Sequence, residues 1–159
     1  MLDASGKGDR IGIWSPNRAE WLLTQFATAR IGVILVNINP AYRPFELEYA
    51  LNKVSCKGLV TAAAFKASNY VAMLQELAPE LDTATPGALN AAKLPHLETI
   101  ICMGNDAPAG MLSFADVMQM GDDTNALDAV TATLDRNDPI NIQFTSGTTG
   151  QPKGACLTH

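Results

Sequence analysis

Residues 10–38 have the sequence RIGIWSPNRAEWLLTQFATARIGVILVNI, in which two apolar stretches lie on either side of a segment with helical spacing. Residues 10–14 place isoleucines at alternate positions and run into a Ser-Pro-Asn turn, a pattern typical of a short strand. Residues 33–38 are apolar and β-branched enough for a strand that is buried on both faces. A strand, a helix and a second buried strand in this order indicate a unit of a parallel sheet.

The segment between the two strands has the signals of a helix start and a helix end. Asn17 is a good N-cap residue, and Glu20 three positions later can complete a capping box. Gly32 is expected to end the helix. The apolar positions that recur at helical spacing, and so predict the buried face, are Leu22, Phe26 and Ala29.

The same alternation continues along the chain. Apolar runs predict strands at residues 58–61, 98–103 and 140–145. Helices are predicted from Pro44 onward, over residues 65–77 and over residues 113–120, the last capped by Ser113. The apolar faces of the first two of these helices are Leu47, Ala50, Leu51 and Val54, and Val71, Leu74 and Ala78. We therefore predict an α/β fold in which helices flank a mainly parallel sheet.

Two stretches interrupt this regular order. Residues 79–97 are rich in Pro, Gly, Thr, Asp and Ala, which predicts a loop or a short helix. Residues 104–136 are variable and polar outside the brief helix. Both are expected to be loosely ordered connections within one unit that covers residues 1–159.

The composition excludes several classes of protein. Of the 159 residues, 47% are hydrophobic and 17% are charged, so the chain can bury a core and has too little charge for intrinsic disorder. The formal net charge of -5 argues against nucleic-acid binding. No apolar run approaches a membrane span, and the amino end lacks the apolar stretch of a signal peptide. Cys56, Cys102 and Cys156 indicate neither a zinc site nor a disulfide framework, and they fit reduced thiols in the cytoplasm.

The predicted strand at residues 140–145 runs directly into a loop of glycines and hydroxyl side chains. This loop comprises Thr145, Ser146, Gly147, Thr148, Thr149, Gly150, Gln151, Pro152, Lys153 and Gly154. The glycines let backbone N–H groups approach an anion, and the hydroxyl groups add donors. Lys153 adds a mobile positive charge, and Pro152 is expected to keep that lysine on a loop. Because ligands bind outside the carboxyl ends of parallel strands, residues 145–154 predict a phosphate-binding loop.

Two familiar nucleotide motifs do not match this loop. The nucleotide P-loop needs a second glycine five residues after the first, but the positions five after Gly147 and Gly150 hold Pro152 and Ala155. The dinucleotide fingerprint needs a glycine two positions before Gly147, where Thr145 stands. The loop is therefore a phosphate loop of a third kind, or else a flexible linker without a ligand.

Residues 146–154, SGTTGQPKG, resemble the signature phosphate loop of the AMP-forming adenylating enzymes. Residues 36–42, VNINPAY, are similar to the acyl-CoA synthetase branch of that superfamily, and in particular to its medium-chain group. The resemblance is good over residues 8–60 and 138–159 and thin over residues 79–135.

This resemblance implies a reaction in two steps. A carboxylate attacks the α-phosphate of ATP, which is bound with Mg²⁺, to give an acyl-adenylate and pyrophosphate; the thiol of coenzyme A then takes the acyl group. The loop would hold the β- and γ-phosphates by electrostatic positioning, and no catalytic side chain or metal ligand is implied within this chain. The implied binding residues are Thr145, Ser146, Gly147, Thr148, Thr149, Gly150, Pro152, Lys153 and Gly154.

The resemblance also implies that residues 1–159 are an incomplete large N-terminal domain of the adenylate-forming fold. The adenine, ribose and acyl sites would lie in the remainder, so the isolated chain is expected to be inactive and to leave apolar edges exposed. The expected partners are ATP, a fatty or related carboxylic acid and coenzyme A. Two alternatives remain: a stand-alone phosphate-binding module without catalysis, or another adenylate-forming enzyme such as a peptide-synthetase adenylation domain.

The other reactive or large side chains have simpler interpretations. His159 is expected at the entry to the next helix, and His96 at a junction between a loop and a strand. Asp122 and Asp123 lie in a polar linker and are expected to be solvated. Core packing is the expected role of Trp14, Trp21, Met73, Met111, Met118 and Met120.

Overall fold

The computed structural model describes residues 6–121, 124–145 and 152–158. The strands in these ranges are β1 Arg10–Trp14, β2 Ile34–Ile38, β3 Gly58–Thr61, β4 Ala64–Phe65, β5 Ser68–Asn69, β6 Thr99–Cys102, β7 Leu112–Ser113, β8 Pro139–Thr145 and β9 Lys153–Thr158. The helices are α1 Ala19–Arg30, α2 Pro44–Lys53, α3 Tyr70–Leu77, α4 Phe114–Gln119 and α5 Thr124–Thr131, with a short 3-10 helix at Pro79–Asp82. The predicted strands at residues 10–14, 33–38, 58–61, 98–103 and 140–145 are all confirmed.

The main sheet of the described residues has seven strands in the order β7-β6-β3-β1-β2-β8-β9. All neighbouring pairs are parallel except β8 and β9, which pair antiparallel. The prediction of a mainly parallel sheet with flanking helices is therefore confirmed. In the sheet, β2 lies on one side of β1 and β3 lies on the other, so the connections β1–α1–β2 and β2–α2–β3 run in opposite directions across the sheet. Right-handed connections consequently place α1 and α2 on opposite faces of the sheet.

The face under α2 is packed closely enough to require a glycine in β1. A Cβ atom at Gly12 would lie 2.9 Å from Ile38 Cδ1 and 3.4 Å from Leu51 Cδ2. Leu47, Ala50 and Leu51 of α2 are buried, and Pro44 is the first residue of the helix. The predicted start and apolar face of α2 are thus confirmed.

Two aromatic rings form the centre of the core at the carboxyl ends of the strands. Trp14 and Tyr70 are both fully buried and stacked, with ring centroids 3.8 Å apart and planes inclined by 12°. Trp14 Nε1 donates to the carbonyl of Asn39 at 3.2 Å, and the Tyr70 hydroxyl donates to the carbonyl of Pro40 at 2.6 Å. The stack therefore fixes the segment between β2 and α2 as well as filling the core.

The predicted start of α1 was wrong. Asn17 does not cap this helix, because the N-cap position belongs to Arg18. The Arg18 guanidinium instead forms an ion pair with Glu20, with Nη2 and Oε1 2.6 Å apart. Glu20 is thus engaged by a side chain rather than by the backbone of a capping residue.

The predicted buried face of α1 was also wrong. Leu22 and Phe26 are 53% and 66% exposed, whereas Thr24 and Thr28 are buried. The threonines can be buried because their hydroxyl groups donate to carbonyls one turn earlier, to Glu20 O at 2.7 Å and to Thr24 O at 2.9 Å. Hydrophobicity alone therefore selects the wrong side of this helix, and an apolar strip of α1 faces outward.

The third predicted helix begins five residues later than the sequence indicates. Residues 64–69 form a two-stranded hairpin of β4 and β5, and α3 starts at Tyr70. The Asn69 side chain accepts from the backbone N–H of Ala72 and so caps the helix. The predicted face is confirmed in part: Leu74 and Ala78 are buried and Val71 is partly buried, whereas the buried Tyr70 and Leu77 were missed.

The two connecting stretches are more structured than their composition predicts. Residues 79–97 contain the 3-10 helix and bury Leu81, Leu89, Leu94 and Leu97. Residues 104–136 contain α5 in addition to the predicted α4, whose N-cap Ser113 accepts from the N–H of Asp116. The sequence analysis missed α5, although Leu127 and Val130 stand at helical spacing within it.

Exposed apolar surface is a further feature of the described residues. Besides α1, it includes Phe45, which is 72% exposed, and Leu157 of β9. All six residues of β9 are exposed. The expectation of exposed apolar edges and faces is confirmed for these elements. Within the described ranges, no helix combines the length and apolar character needed to cross a membrane.

Candidate functional site

The predicted phosphate loop starts at the carboxyl edge of the parallel sheet. Thr145 is the last residue of β8, which pairs with β2, which in turn pairs with β1. Helices α1 and α2 follow the carboxyl ends of β1 and β2, and α3 follows β3 through the β4–β5 hairpin, so their amino ends lie at this edge. The partial positive charge of helix amino ends favours an anion there. The predicted position of the start of the loop is confirmed.

The two described ends of the loop meet at a paired position. Thr145 and Lys153 are partners in the β8–β9 ladder, and the Thr145 hydroxyl donates to the carbonyl of Lys153 at 3.3 Å. Thr145 and Lys153 therefore lie next to each other on neighbouring strands. The predicted phosphate-binding residues Ser146, Gly147, Thr148, Thr149 and Gly150 lie outside the described residues.

The prediction that Pro152 keeps Lys153 on the loop was wrong, because Lys153 is the first residue of β9. The ladder between β8 and β9 reaches Thr145 and Lys153, so Pro152 ends the loop without excluding a strand after it. Lys153 is exposed and shares the sheet face of Thr145, since paired residues of antiparallel strands lie on one face. No carboxylate of the described residues forms an ion pair with it. Its ammonium group is thus available to an anion at the base of the loop.

Gly154 lies on the opposite face of β9 from Lys153. A Cβ atom at this position would lie 3.1 Å from Ile142 Cγ2 and 3.9 Å from Phe144 Cε1. The missing side chain therefore lets β9 pack against β8. A contact between Gly154 and phosphate stays a prediction.

An amide pair between β2 and β8 lies on the face of Thr145, and the sequence analysis missed it. Asn37 Nδ2 donates to Asn141 Oδ1 at 3.3 Å. Asn141 is buried, and the Oδ1 atom of Asn37 has no hydrogen-bond partner among the described residues. Such a pair links the two strands that carry the site. Nothing in the local sequence identifies it, because the two residues are 104 positions apart.

Tyr49 is a second residue that the sequence analysis did not select. Its hydroxyl group donates to the carbonyl of Pro152 at 3.4 Å, across 103 positions of sequence. Tyr49 is half-buried on α2, beside the apolar face that helical spacing identifies. It connects a well-packed helix to the end of the phosphate loop.

The ion pairs at the amino edge of the sheet have a structural role. Lys57 Nζ is 2.9 Å from Asp9 Oδ2, and Lys7 Nζ is 2.7 Å from Asp138 Oδ2. Burial tends to raise the pKa of Asp9, but hydrogen bonds from Lys57 and from the Gly6 amide outweigh it and lower that pKa. These residues precede β1, β3 and β8 and lie at the opposite edge from Lys153.

Two of the three cysteines lack the properties of a nucleophile. Cys56 and Cys102 are buried, and burial raises the pKa of both thiols, that of Cys56 to about 12. Both thiols are therefore protonated near neutral pH. Cys156 is exposed on β9. No cluster of metal-ligating side chains occurs in the part of the chain that the structure describes.

The remaining candidates divide into core and surface residues. Trp14, Met73 and Met111 are buried as predicted, and Trp21 is half-buried against the core. The prediction for Met118 and Met120 was wrong, since α4 and its end leave them 58% and 54% exposed. His96 is exposed before β6, at the amino edge. His159, Asp122 and Asp123 lie outside the described residues.

Comparison with known proteins gives several relatives that are named medium-chain acyl-CoA ligases. The chain is 50% identical over 157 residues to the human protein named medium-chain acyl-CoA ligase ACSF2, mitochondrial, and 48% identical over 155 residues to its Danio rerio counterpart. Each match covers 96% of this chain and 25% of the relative. The chain thus spans about a quarter of the length of these curated relatives.

The fold agrees with that of solved ligases. The crystal structure of the anthranilate CoA ligase AuaEII in complex with anthranoyl-AMP matches with a TM-score of 0.72 and 25% identity, over 99% of this chain and 26% of that one. The family model described as AMP-binding enzyme matches residues 2–159. Since that match extends over nearly all of the 159 residues, the chain belongs to the AMP-binding enzyme family.

Proposed function

We propose that this chain is the phosphate-holding part of an ATP-dependent, AMP-forming acyl-CoA ligase. The observation that supports this proposal is that SGTTGQPKG, residues 146–154, directly follows Thr145 at the carboxyl end of β8, and that Thr145 pairs with Lys153 of this stretch. In the proposed reaction, a carboxylate oxygen attacks the α-phosphorus of ATP and pyrophosphate leaves. The sulfur of coenzyme A then attacks the acyl carbonyl, and AMP leaves with the oxygen that came from the carboxylate.

The proposed work of the loop is to neutralise and position the leaving pyrophosphate. Ser146, Thr148 and Thr149 would supply hydroxyl donors, and the backbone N–H groups around Gly147 and Gly150 would supply further donors. Lys153 would add a positive charge on the face where Thr145 lies. Hydrogen bonds to an ionised acceptor are worth about 1.5–3 kcal/mol each, so a few convergent donors suffice to hold a triphosphate.

The donors of this chain fit phosphate better than they fit a metal ion. Hydroxyl, amide and ammonium groups suit anionic oxygens, whereas Mg²⁺ prefers carboxylates and water. No cluster of at least three His, Cys, Asp or Glu side chains that could hold a metal ion is present in the described ranges. We therefore assign no Mg²⁺ ligand among the described residues.

The names of the relatives support the proposed substrate, and the free thiols support the proposed compartment. The human and Danio rerio relatives are named medium-chain acyl-CoA ligases, which supports a medium-chain carboxylic acid as acyl donor and coenzyme A as acceptor. The same names place those relatives in mitochondria. The free cysteines of this chain fit a reducing compartment, and we propose the cytoplasm.

The test uses the isolated chain and a hybrid ligase, defined as the human relative in which this chain replaces the matching quarter. With ATP, Mg²⁺, coenzyme A and a panel of carboxylic acids, the isolated chain is expected to release no pyrophosphate above background. The hybrid ligase is expected to release it only when a carboxylic acid is present.

Two results would change this proposal. Robust pyrophosphate release by the isolated chain would contradict the division of the site between this chain and the remainder. A hybrid ligase that is folded by its melting transition but releases no acid-dependent pyrophosphate would overturn the proposed function. If the isolated chain then binds ATP tightly, the stand-alone phosphate-binding module becomes the better account.

A further inference from the structure

We infer that Tyr49 is a positioning residue for the phosphate loop, and that it acts through the carbonyl of Pro152. This inference rests on the proposed function, because it assigns a task in holding ATP to a residue outside the loop. The hydroxyl group of Tyr49 donates to Pro152 O at 3.4 Å, and the two residues are 103 positions apart. The bond thus joins α2 to the last residue before β9.

The helix that carries Tyr49 is well anchored. Leu47, Ala50 and Leu51 are at most 1% exposed, and they fix α2 against the sheet. The helix start is fixed as well, because Glu46 accepts from the backbone N–H of Arg43 at 3.0 Å. Tyr49 therefore presents its hydroxyl group from a rigid support, as a positioning residue requires.

The acceptor of the Tyr49 hydrogen bond is the carbonyl group that directly precedes Lys153 in the chain. Pro152 O and the N–H of Lys153 belong to one planar peptide unit. A hydrogen bond that holds this oxygen therefore also fixes the orientation of the peptide plane that leads into Lys153. The next carbonyl, that of Lys153, accepts from the Thr145 hydroxyl at 3.3 Å. Two side chains from different elements thus hold successive carbonyls at the end of the loop.

The surroundings of Tyr49 provide a matched control. Phe45, Glu48, Asn52 and Lys53 line the same open groove on α2. Phe45 is an aromatic residue one turn away and 72% exposed, and none of the hydrogen bonds found in the described ranges joins it to Pro152. If Tyr49 only filled the groove, Phe45 would have the same role. Removal of the Tyr49 hydroxyl group would then have no effect.

The experiment compares Tyr49→Phe with Phe45→Leu in two settings. In the 159-residue chain, Tyr49→Phe is expected to speed hydrogen exchange in peptides covering residues 152–158 about fivefold, the size of one lost hydrogen bond, while Phe45→Leu leaves exchange unchanged. In the hybrid ligase, Tyr49→Phe is expected to raise KM for ATP about fivefold with kcat, KM for the carboxylic acid and Tm unchanged.

The two settings separate failure of this inference from failure of the proposed function. Equal exchange in Tyr49→Phe and the unsubstituted chain would overturn the inference, whether or not the hybrid ligase is active. A KM for ATP that stays within twofold in an active hybrid ligase, or that shifts equally with Phe45→Leu, would overturn it too. In a Lys153→Ala background, Tyr49→Phe is expected to have no further effect on KM for ATP, because the hydroxyl acts through that residue.

Discussion

Replacing Lys153 and Thr148 together by alanine in the hybrid ligase is expected to slow acid-dependent exchange of labelled pyrophosphate into ATP by about a hundredfold or more. Each substitution removes a donor to an ionised phosphate oxygen, worth about 1.5–3 kcal/mol, and every 1.36 kcal/mol changes a rate tenfold. Lys153 is exposed and without an ion pair to a described carboxylate, so its loss leaves no buried charge behind. The measurement is the exchange rate at fixed ATP, Mg²⁺ and carboxylic acid.

A pair of exposed residues far from the loop provides the control for this double substitution. Lys93 and Thr85 lie in the stretch of residues 79–97, and both are exposed. Lys93→Ala with Thr85→Ala removes the same two side-chain types and is expected to leave the exchange rate within twofold. Unchanged exchange after the Lys153 and Thr148 substitutions would remove the assignment of the loop to ATP.

Replacing Trp14 by alanine is expected to lower the free energy of unfolding of the chain by about 3–5 kcal/mol. Trp14 is fully buried, stacks on Tyr70 and donates to the carbonyl of Asn39. Its loss creates a cavity, ends the stacking and leaves the Asn39 carbonyl without that donor. The measurement is urea unfolding of the 159-residue chain, followed by far-ultraviolet circular dichroism.

Two further variants identify the origin of this loss of stability. Trp14→Phe keeps an aromatic ring but not the N–H donor, and we expect it to cost about 1–2 kcal/mol. Trp21→Ala removes the half-buried tryptophan of α1 and is expected to cost less than Trp14→Ala. Equal costs for Trp14→Ala and Trp21→Ala would contradict the central position of the Trp14–Tyr70 stack.

The sequence predicts the sheet well because buried parallel strands are continuous apolar runs. Residues 33–38 and 58–61 need no neighbours to be recognised, since their β-branched side chains are buried on both faces. The face of α1 could not be predicted in the same way. Its buried positions are Thr24 and Thr28, whose hydroxyl groups are satisfied inside the helix, and this satisfaction is not visible in hydrophobic spacing.

The candidate site also combines local features, which the sequence predicts, with long-range contacts, which it does not. The strand that ends at Thr145 and the loop after it are local features, so the sequence locates the start of the site at the sheet edge. The β9 strand was missed because its residues are all exposed. It is defined by its pairing with β8 and not by burial. Tyr49 and the Asn37–Asn141 pair depend on contacts across about a hundred residues, which no local pattern encodes.

The central claim is that this chain holds the triphosphate of ATP while a carboxylate attacks the α-phosphate. The most direct measurement follows the carboxylate oxygen in the hybrid ligase, with a carboxylic acid that carries ¹⁸O in both positions. Mass spectrometry is expected to find one ¹⁸O atom in the phosphate of AMP. The amount of labelled AMP formed in a fixed time is expected to fall about a hundredfold when Lys153 and Thr148 are both alanine. Formation of ADP with ¹⁸O in inorganic phosphate would contradict the claim, because the carboxylate would then have attacked the γ-phosphate.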